Sequence, residues 1–209
     1  DNAPKYRLDQ IKKAIFRDGI SSFLEISTLP KDVREILNKA VSVLPFSVIQ
    51  VFKSLDGDAK KALLKLKDGK RIETVLISPK PGTWSACVSS QVGCPIGCIF
   101  CATGQGGFSR NLTADEISGQ VLFLKQYMRK NKIKGIFSNI VFMGMGEPFL
   151  NWKEVSKSIK DLTNPKLFGF GSRSISVSTV GVKGGIEKIA KDFPQINLAV
   201  SLHFGNNKK

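Results

Sequence analysis

The sequence predicts an α/β fold in which parallel strands alternate with helices, preceded by a small helical domain and a β-hairpin. Three observations lead to this prediction. Apolar residues recur at helical spacing near the N-terminus, two strand-like segments flank an Asp-Gly turn, and strand-like and helix-like segments alternate over the rest of the 209 residues. Such alternation is typical of parallel βα units, because each helix returns the chain to start the next strand.

Residues 1–48 are predicted to form a helical, RNA-binding accessory domain. A first helix, ending at Gly19, is indicated by apolar residues on one face: Leu8, Ile11 and Ile15. A second helix is predicted to start near Pro30, with Thr28 as its cap. Its inward face is expected to carry four side chains: Val33, Ile36, Leu37 and Ala40.

Residues 49–83 are predicted to form a β-hairpin that extends the core and links it to the helical domain. The segments 62–66 and 72–77 are strand-like, and Asp68-Gly69 between them is a typical hairpin turn. Prolines at positions 79 and 81 then interrupt the pattern, which places a domain boundary near residue 83.

Residues 84–209 carry the alternating pattern. Thr113 and Glu116 form a capping box that opens a helix, and Asn151 and Glu154 resemble a second one. A third helix is predicted at 184–191. The strands are predicted at 86–89, 139–143, 174–179 and 196–202.

The charge balance indicates a polyanionic partner. Lys and Arg number 32 against 17 Asp and Glu, a formal net charge of +15, which favours nucleic acid, although a solvated lysine-rich surface explains the same balance. No run of 18 apolar residues is present, so no membrane-spanning helix is expected. The single histidine excludes chemistry that needs two. Candidate phosphate contacts are Lys12, Lys13, Arg17 and the basic residues within 130–134.

Three closely spaced cysteines follow the strand predicted at 86–89. Cys94, Cys98 and Cys101 form a C-x3-C-x2-C loop, and clustered thiolates suit a soft metal centre. A 4Fe–4S cluster held by three cysteines keeps one iron open for a ligand. A zinc site with Cys87 as the fourth ligand is an alternative, although the spacing differs from that of zinc ribbons. Inert thiols are the third interpretation.

The cysteine loop resembles that of the radical S-adenosylmethionine (SAM) superfamily, and further segments resemble the RlmN/Cfr family of RNA adenosine methyltransferases. The resemblance implies that residues 84–209 form a partial, incomplete (βα)6 radical SAM barrel with about four βα units. It rests on CVSSQVGC at 87–94, CATG at 101–104, FSRNLT at 108–113, FMGMGEP at 142–148, SLH at 201–203 and IETVLI at 72–77.

The resemblance also implies roles for individual residues. Cys94, Cys98 and Cys101 would hold a 4Fe–4S cluster, whose open iron binds SAM. Residues at the ends of the second, third and fourth predicted strands would contact SAM: Gly146, Glu147, Ser178, Ser201, Leu202 and His203.

Two further residues are implied to act on the substrate. Glu73 matches the family's proposed general base, which removes a proton from the methylated adenine. Cys87 matches a resolving thiol, which forms a disulfide with a second, methyl-carrying cysteine and thereby frees the product. The scheme uses two SAM molecules and a methylcysteine intermediate. Cys87 and the three loop cysteines are the four cysteines of the chain, so the methyl-carrying cysteine is expected after Lys209 and this chain is expected to be inactive alone.

The substrate expected from the resemblance is C2 of one adenosine in 23S rRNA, at the peptidyl-transferase centre, and of the adenosine beside the anticodon in tRNA. Glu147-Pro148 favours this RlmN-like reaction over the Cfr-like reaction at C8, which is the alternative. A zinc-stabilised RNA-binding module without catalysis is a third possibility. The family further implies a cytoplasmic monomer that receives electrons from a flavodoxin or ferredoxin.

Overall fold

The computed structural model describes residues 4–202, which contain six α-helices and nine strands. The helices are α1 (Lys5–Lys12), α2 (Lys31–Ala40), α3 (Ala102–Gln105), α4 (Ala114–Lys130), α5 (Trp152–Thr163) and α6 (Gly185–Asp192). The strands are β1 (Phe46–Lys53), β2 (Ala59–Leu66), β3 (Arg71–Lys80), β4 (Thr83–Cys87), β5 (Gln91–Gly93), β6 (Phe108–Asn111), β7 (Ile136–Phe142), β8 (Ile175–Thr179) and β9 (Asn197–Val200).

The N-terminal part is helical, as predicted, but it buries fewer side chains than expected. Helix α2 begins after Pro30, and no side chain caps it, so the predicted Thr28 cap is wrong. Val33 and Leu37 pack against a small apolar cluster, whereas Ile36 is 64% exposed. Ala40 is also exposed. The small cluster contacts only the narrow stripe of α2 that contains Val33 and Leu37. The side chains beside that stripe therefore remain in solvent.

Seven strands form one sheet in the order β1-β2-β3-β4-β7-β8-β9. Strands β1 to β4 pair antiparallel, and β4, β7, β8 and β9 pair parallel. The predicted hairpin is present as β2 and β3, and it continues directly into the parallel core because Val75 of β3 pairs with Cys87 of β4. Strand β1 starts inside the segment that was predicted to be helical. Most of its side chains are exposed, as is usual for an edge strand, so the sequence shows no clear alternation there.

The parallel part has the predicted order of elements, with helices after the first three of its four strands. Helix α4 opens with the predicted capping box: Thr113 Oγ1 accepts from the Glu116 N–H at 3.2 Å, and the Glu116 carboxylate accepts from the Thr113 N–H at 3.0 Å. Within residues 4–202, no helix combines the length and apolar character needed to cross a bilayer.

The second predicted capping box is wrong, because its two side chains bind other elements. Asn151 donates from Nδ2 to the carbonyls of Ser90 and Leu112, both at 2.8 Å. Glu154 accepts from the Ala114 N–H at 3.0 Å, at the start of α4. Both residues therefore join α5 to the segments around the cysteine loop, instead of capping α5 itself.

The two faces of the sheet differ in burial. Along β3, the buried residues Ile72, Thr74 and Leu76 alternate with partly exposed ones. The buried face packs in the main apolar core together with residues of α4 and α5. Glu73 and Val75 lie on the other, more open face. Cys87 shares that face, since paired residues of neighbouring strands point to the same side.

Candidate active site

A cavity of about 280 Å³ lies at the carboxyl ends of the parallel strands. All three loop cysteines line it, together with the turn that follows β7 and the residues that end β8. In parallel α/β folds, ligands collect at this edge. Its lining includes Cys94, Cys98, Cys101, Gly146, Glu147, Ser178 and Ser201.

The cysteine loop is closed at its base by the two-stranded ribbon of β5 and β6. Gly93 has a φ of +78°, and a Cβ there would lie 1.9 Å from the Gly107 carbonyl oxygen. The Cys94 N–H donates to that same oxygen at 3.0 Å. Glycine at position 93 is therefore required, because it allows the two ends of the loop to meet.

The thiols of the loop influence one another. Burial raises the pKa of the Cys94 thiol, and the nearby Cys98, Cys101 and Glu147 raise it further by charge repulsion. All four cysteines of the chain are free. Binding of a metal would reverse this effect, because the metal stabilises thiolates.

The three loop thiols can be compared with the ligand sets of a cluster and of a single metal ion. Within residues 4–202, no three Cys, His, Asp or Glu side chains are placed to hold one metal ion. Cys87 does not line the cavity, so it does not complete a four-ligand zinc site with the loop thiols. A 4Fe–4S cluster takes each thiolate on a different iron, so its ligands surround a cavity without meeting at one atom. Three thiols around one cavity are the donor set that a 4Fe–4S cluster with one open iron takes from a protein.

The turn after β7 packs closely against the segment between β4 and β5. Gly146 has a φ of +99°, and a Cβ there would lie 2.5 Å from the Cβ of Gln91. At Gly144, a Cβ would lie 2.8 Å from the Ser89 nitrogen and hydroxyl. Packing within the protein therefore requires glycine at both positions, a reason that the resemblance did not supply.

Glu147 is held in the cavity wall by hydrogen bonds to both of its carboxylate oxygens and from its own N–H. Its side chain is buried, its Oε1 accepts from the Phe149 N–H at 3.1 Å, and its Oε2 accepts from the Val180 N–H at 3.0 Å. Its own N–H donates to Gln91 Oε1 at 2.8 Å. Glu147 thus joins the ends of β7 and β8. Each carboxylate oxygen keeps a further lone pair for a donor within the cavity.

Two hydroxyls stand together at the ends of β8 and β9. The Oγ atoms of Ser178 and Ser201 are 3.4 Å apart, and both residues line the cavity. Leu202 does not line it and is largely exposed. His203, the last residue predicted to contact SAM, lies outside the described residues.

Cys87 and Glu73 lie beside the cavity, on the open face of the sheet. Burial raises the pKa of the Cys87 thiol to about 11, although a hydrogen bond from the Met143 backbone opposes this. The Glu73 carboxylate pairs with Lys61 Nζ at 3.1 Å, and about half of each of these side chains is exposed. The structure therefore brings Glu73 and Cys87 to one face, but neither lines the thiol cavity.

Buried polar residues that the sequence analysis did not single out hold these parts together. Ser89 Oγ donates to the Glu73 carbonyl at 2.6 Å and accepts from the Met145 N–H at 2.9 Å. Gln120, buried in α4, accepts from the Ser89 N–H at 2.8 Å and donates to the Ser89 carbonyl at 2.9 Å. The polar run at 89–91, directly after an apolar strand, is the sequence signal that could have indicated them.

Arg110 is a second connector that the sequence did not reveal. It binds the Glu116 carboxylate through two nitrogens at 2.8 and 2.9 Å, and Asp68 in the β2–β3 turn at 2.6 Å. Hydrogen bonds from Arg110 hold the pKa of Asp68 below its ordinary value. The tip of the hairpin is thereby fastened to the ribbon that closes the cysteine loop.

The sequence aligns with similar proteins over nearly its whole length. "Ribosomal RNA large subunit methyltransferase Cfr" of Clostridium botulinum is 46% identical over 200 residues, which are 96% of this chain and 56% of the relative. "Probable dual-specificity RNA methyltransferase RlmN" of Syntrophomonas wolfei is 43% identical over 211 residues, covering 98% of this chain and 58% of the relative. The chain thus spans somewhat more than half the length of these relatives, and they confirm the resemblance that the motifs indicated.

A solved structure and a family match agree with these relatives. The crystal structure of a radical SAM methyltransferase from Sphaerobacter thermophilus superposes with a TM-score of 0.89 and 38% identity, covering 97% of this chain and 59% of that one. The family described as the Radical SAM superfamily matches residues 88–208, more than half of the chain. That stretch contains the three loop cysteines and the turn with Glu147, and the chain belongs to the radical SAM superfamily.

Proposed function

We propose that this chain is the part of an RlmN/Cfr-type RNA methyltransferase that binds the 4Fe–4S cluster and SAM. The observation that carries the proposal is the shared cavity, in which three thiols and the turn of Gly146 and Glu147 meet at the carboxyl ends of the strands. The names of the relatives supply the methyltransferase class and RNA as the substrate.

The residues of the cavity have distinct roles in this proposal. Cys94, Cys98 and Cys101 hold the cluster, which when bound supplies the electron that cleaves SAM reductively. Glu147 presents its remaining acceptor capacity to the ammonium group of SAM, and its bonds to two backbone amides keep it from turning away. The paired hydroxyls of Ser178 and Ser201 offer polar contacts on the neighbouring strands. His203 and Leu202 remain predicted contacts of SAM.

Cys87 and Glu73 are proposed to act on the RNA base. Their position on one sheet face beside the cavity supports this, since a base that reaches the cavity passes that face. Cys87 acts as the resolving thiol and Glu73 as the general base. The methyl-carrying cysteine of this scheme has no candidate among the 209 residues, because the three other cysteines line the cavity.

The substrate proposed is adenosine C2 in 23S rRNA and tRNA, with C8 as the alternative product. The target base has to leave its stack to reach a cavity inside the protein, which favours a looped or single-stranded site. Four free thiols fit a reducing compartment such as the cytoplasm, where a flavodoxin or ferredoxin supplies electrons.

Anaerobic reconstitution with iron and sulfide tests the cofactor part of the proposal. We expect a brown protein with about four irons per chain, and a change in the electron paramagnetic resonance (EPR) spectrum of the reduced cluster when SAM is added. A colourless protein that retains one zinc instead would contradict the cluster. Mass spectrometry of adenosines from RNA treated with the full-length enzyme then separates C2 from C8 products.

A further inference from the structure

We propose that the tip of the β2–β3 hairpin is an RNA phosphate-binding surface, which holds the strand flanking the target nucleotide. The surface consists of Lys65, Lys67, Lys70 and Arg71, called the hairpin cations below. This inference rests on the proposed function, because it assigns a docking surface to the RNA which that function requires.

The hairpin tip lies at the edge of the sheet where the cavity opens. Val75 pairs with Cys87, and Ile77 pairs with the earlier residue Ser85, so β3 starts beyond the carboxyl end of β4. The ion pair between Asp68 and Arg110 fastens the tip to the ribbon at the base of the cysteine loop. A phosphate bound at the tip is therefore next to the mouth of the cavity.

The charge of the tip is unbalanced. All four hairpin cations are exposed. Among the residues that the structure describes, none of the four takes part in an ion pair or donates a side-chain hydrogen bond. The two nearby carboxylates already form ion pairs with other residues, Asp68 with Arg110 and Glu73 with Lys61. The remaining positive charge is available to a polyanion, and phosphate contacts release condensed counterions.

The tip also has the right orientation. Lys65 pairs with Arg71 across the hairpin, so both point to one face of the sheet. Arg71 shares that face with Glu73 and Val75 because side chains alternate along a strand. Cys87, paired with Val75, lies on it as well. Phosphates on Lys65 and Arg71 therefore lie over the same face as the two residues proposed to act on the base.

Other basic residues, including those suggested by the sequence, are less suited to this role. Lys13 pairs with Asp18, and the Arg17 guanidinium donates to the Pro165 carbonyl at 2.6 Å, so both side chains already have partners within the protein. Lys134 lies at the opposite edge of the sheet, since its carbonyl accepts from the Trp84 indole near the start of β4. Contacts there are separated from the cavity by the length of the strands.

The test measures salt-dependent binding of a short fluorescein-labelled RNA hairpin with one loop adenosine, by fluorescence anisotropy on the protein carrying its cluster. The double variant Lys65→Gln/Arg71→Gln is compared with the matched control Lys130→Gln/Lys134→Gln, which removes the same charge at the far edge. Each phosphate contact contributes about 0.7 to 0.9 to the slope of log K against log salt. We expect the hairpin variant to lower that slope by about 1.5. The slope of the control tests the sequence-based candidates at 130–134 directly, and the docking surface requires that it fall by less than that of the hairpin variant.

The outcomes separate this inference from the proposed function. If the unaltered protein binds its cluster but no RNA, the docking surface is contradicted and the cluster-binding part of the proposed function stands. If it binds RNA and the hairpin variant keeps the full slope, or the control loses as much, only the docking surface is overturned. A second pair in the turn, Lys67→Gln/Lys70→Gln, is expected to reduce the slope in the same direction. All of these side chains are exposed, so we expect the far-ultraviolet circular dichroism of every variant to match that of the unaltered protein.

Discussion

The cysteine loop and the turn that contains Glu147 line the same cavity, but the protein holds them by different means. The loop is tied at its base by backbone hydrogen bonds, while Ile99 and Phe100 between its thiols are largely exposed. The turn ends in the buried residue Glu147, and side chains such as Ser89 and Gln91 bind its backbone. The comparison indicates that packing within the protein shapes the Glu147 side of the cavity, whereas the loop contributes little to the stability of the core.

The largest effect on stability is expected when the turn loses its central acceptor. Glu147→Ala removes the acceptor of the buried Phe149 N–H and of the partly buried Val180 N–H, and leaving a buried donor unpaired costs about 1–3 kcal/mol. We expect the free energy of unfolding in urea to fall by about 3 kcal/mol. The control Glu147→Gln keeps one acceptor oxygen and should lose less. Equal losses for the two variants would show that the acceptors do not hold the turn.

A smaller loss of stability is expected when Gln120, which binds both the N–H and the carbonyl of Ser89, is replaced. Gln120→Leu leaves the N–H and carbonyl of Ser89 without their partners, so we expect a loss of about 2 kcal/mol in urea unfolding. The matched control on the same helix is Gln126→Leu, which removes one hydrogen bond to the Ile20 carbonyl and should cost about 1 kcal/mol. A larger loss in the control would indicate that the hydrogen bond from α4 to the N-terminal region contributes more to stability than the hydrogen bonds to Ser89.

The raised pKa of Cys87 predicts how the stability of the protein and the reactivity of this thiol depend on pH. Its pKa is about 11 in the folded protein against an ordinary value of 9.0, so the folded state holds the thiol proton more tightly. The unfolding free energy should therefore decrease modestly as pH rises from about 9 to about 11, and Cys87→Ala should remove that decrease. At pH 8 we expect iodoacetamide to modify Cys87 about a hundredfold more slowly in the folded protein than in urea, as measured by peptide mass spectrometry. Equal rates would contradict the burial of this thiol.

The smallest effect on stability is expected in the loop. Cys98→Ser should change the unfolding free energy of the metal-free protein by no more than about 0.5 kcal/mol, because this thiol is only partly buried and lies outside the core. The same variant should lose nearly all of the iron after reconstitution, whereas Cys87→Ser should retain it. Iron retained by the first variant and lost by the second would reverse the ligand assignment.

Much of the parallel core could be predicted from local patterns. The capping box of Thr113 and Glu116 was correct because both partners lie within one turn of the same helix. The similar pair of Asn151 and Glu154 was misread, because residues distant in sequence offered these side chains buried groups to bind. Local spacing does not reveal such competition. The exposed Ile36 was misplaced for a related reason, since periodicity shows a face but not how much of it a partner covers.

The sequence by itself determined the three-cysteine motif, the superfamily and the alternation of strands and helices, because these depend on short spacings along the chain. Only the tertiary structure decided that the hairpin is continuous with the parallel sheet, that Cys87 and Glu73 share a face, and that Gly146 has to accommodate Gln91. It also placed unpaired cations beside the cavity. The physical reason is that strand pairing and buried hydrogen bonds join residues far apart in the chain, so the neighbours of a side chain appear only when the sheet is assembled.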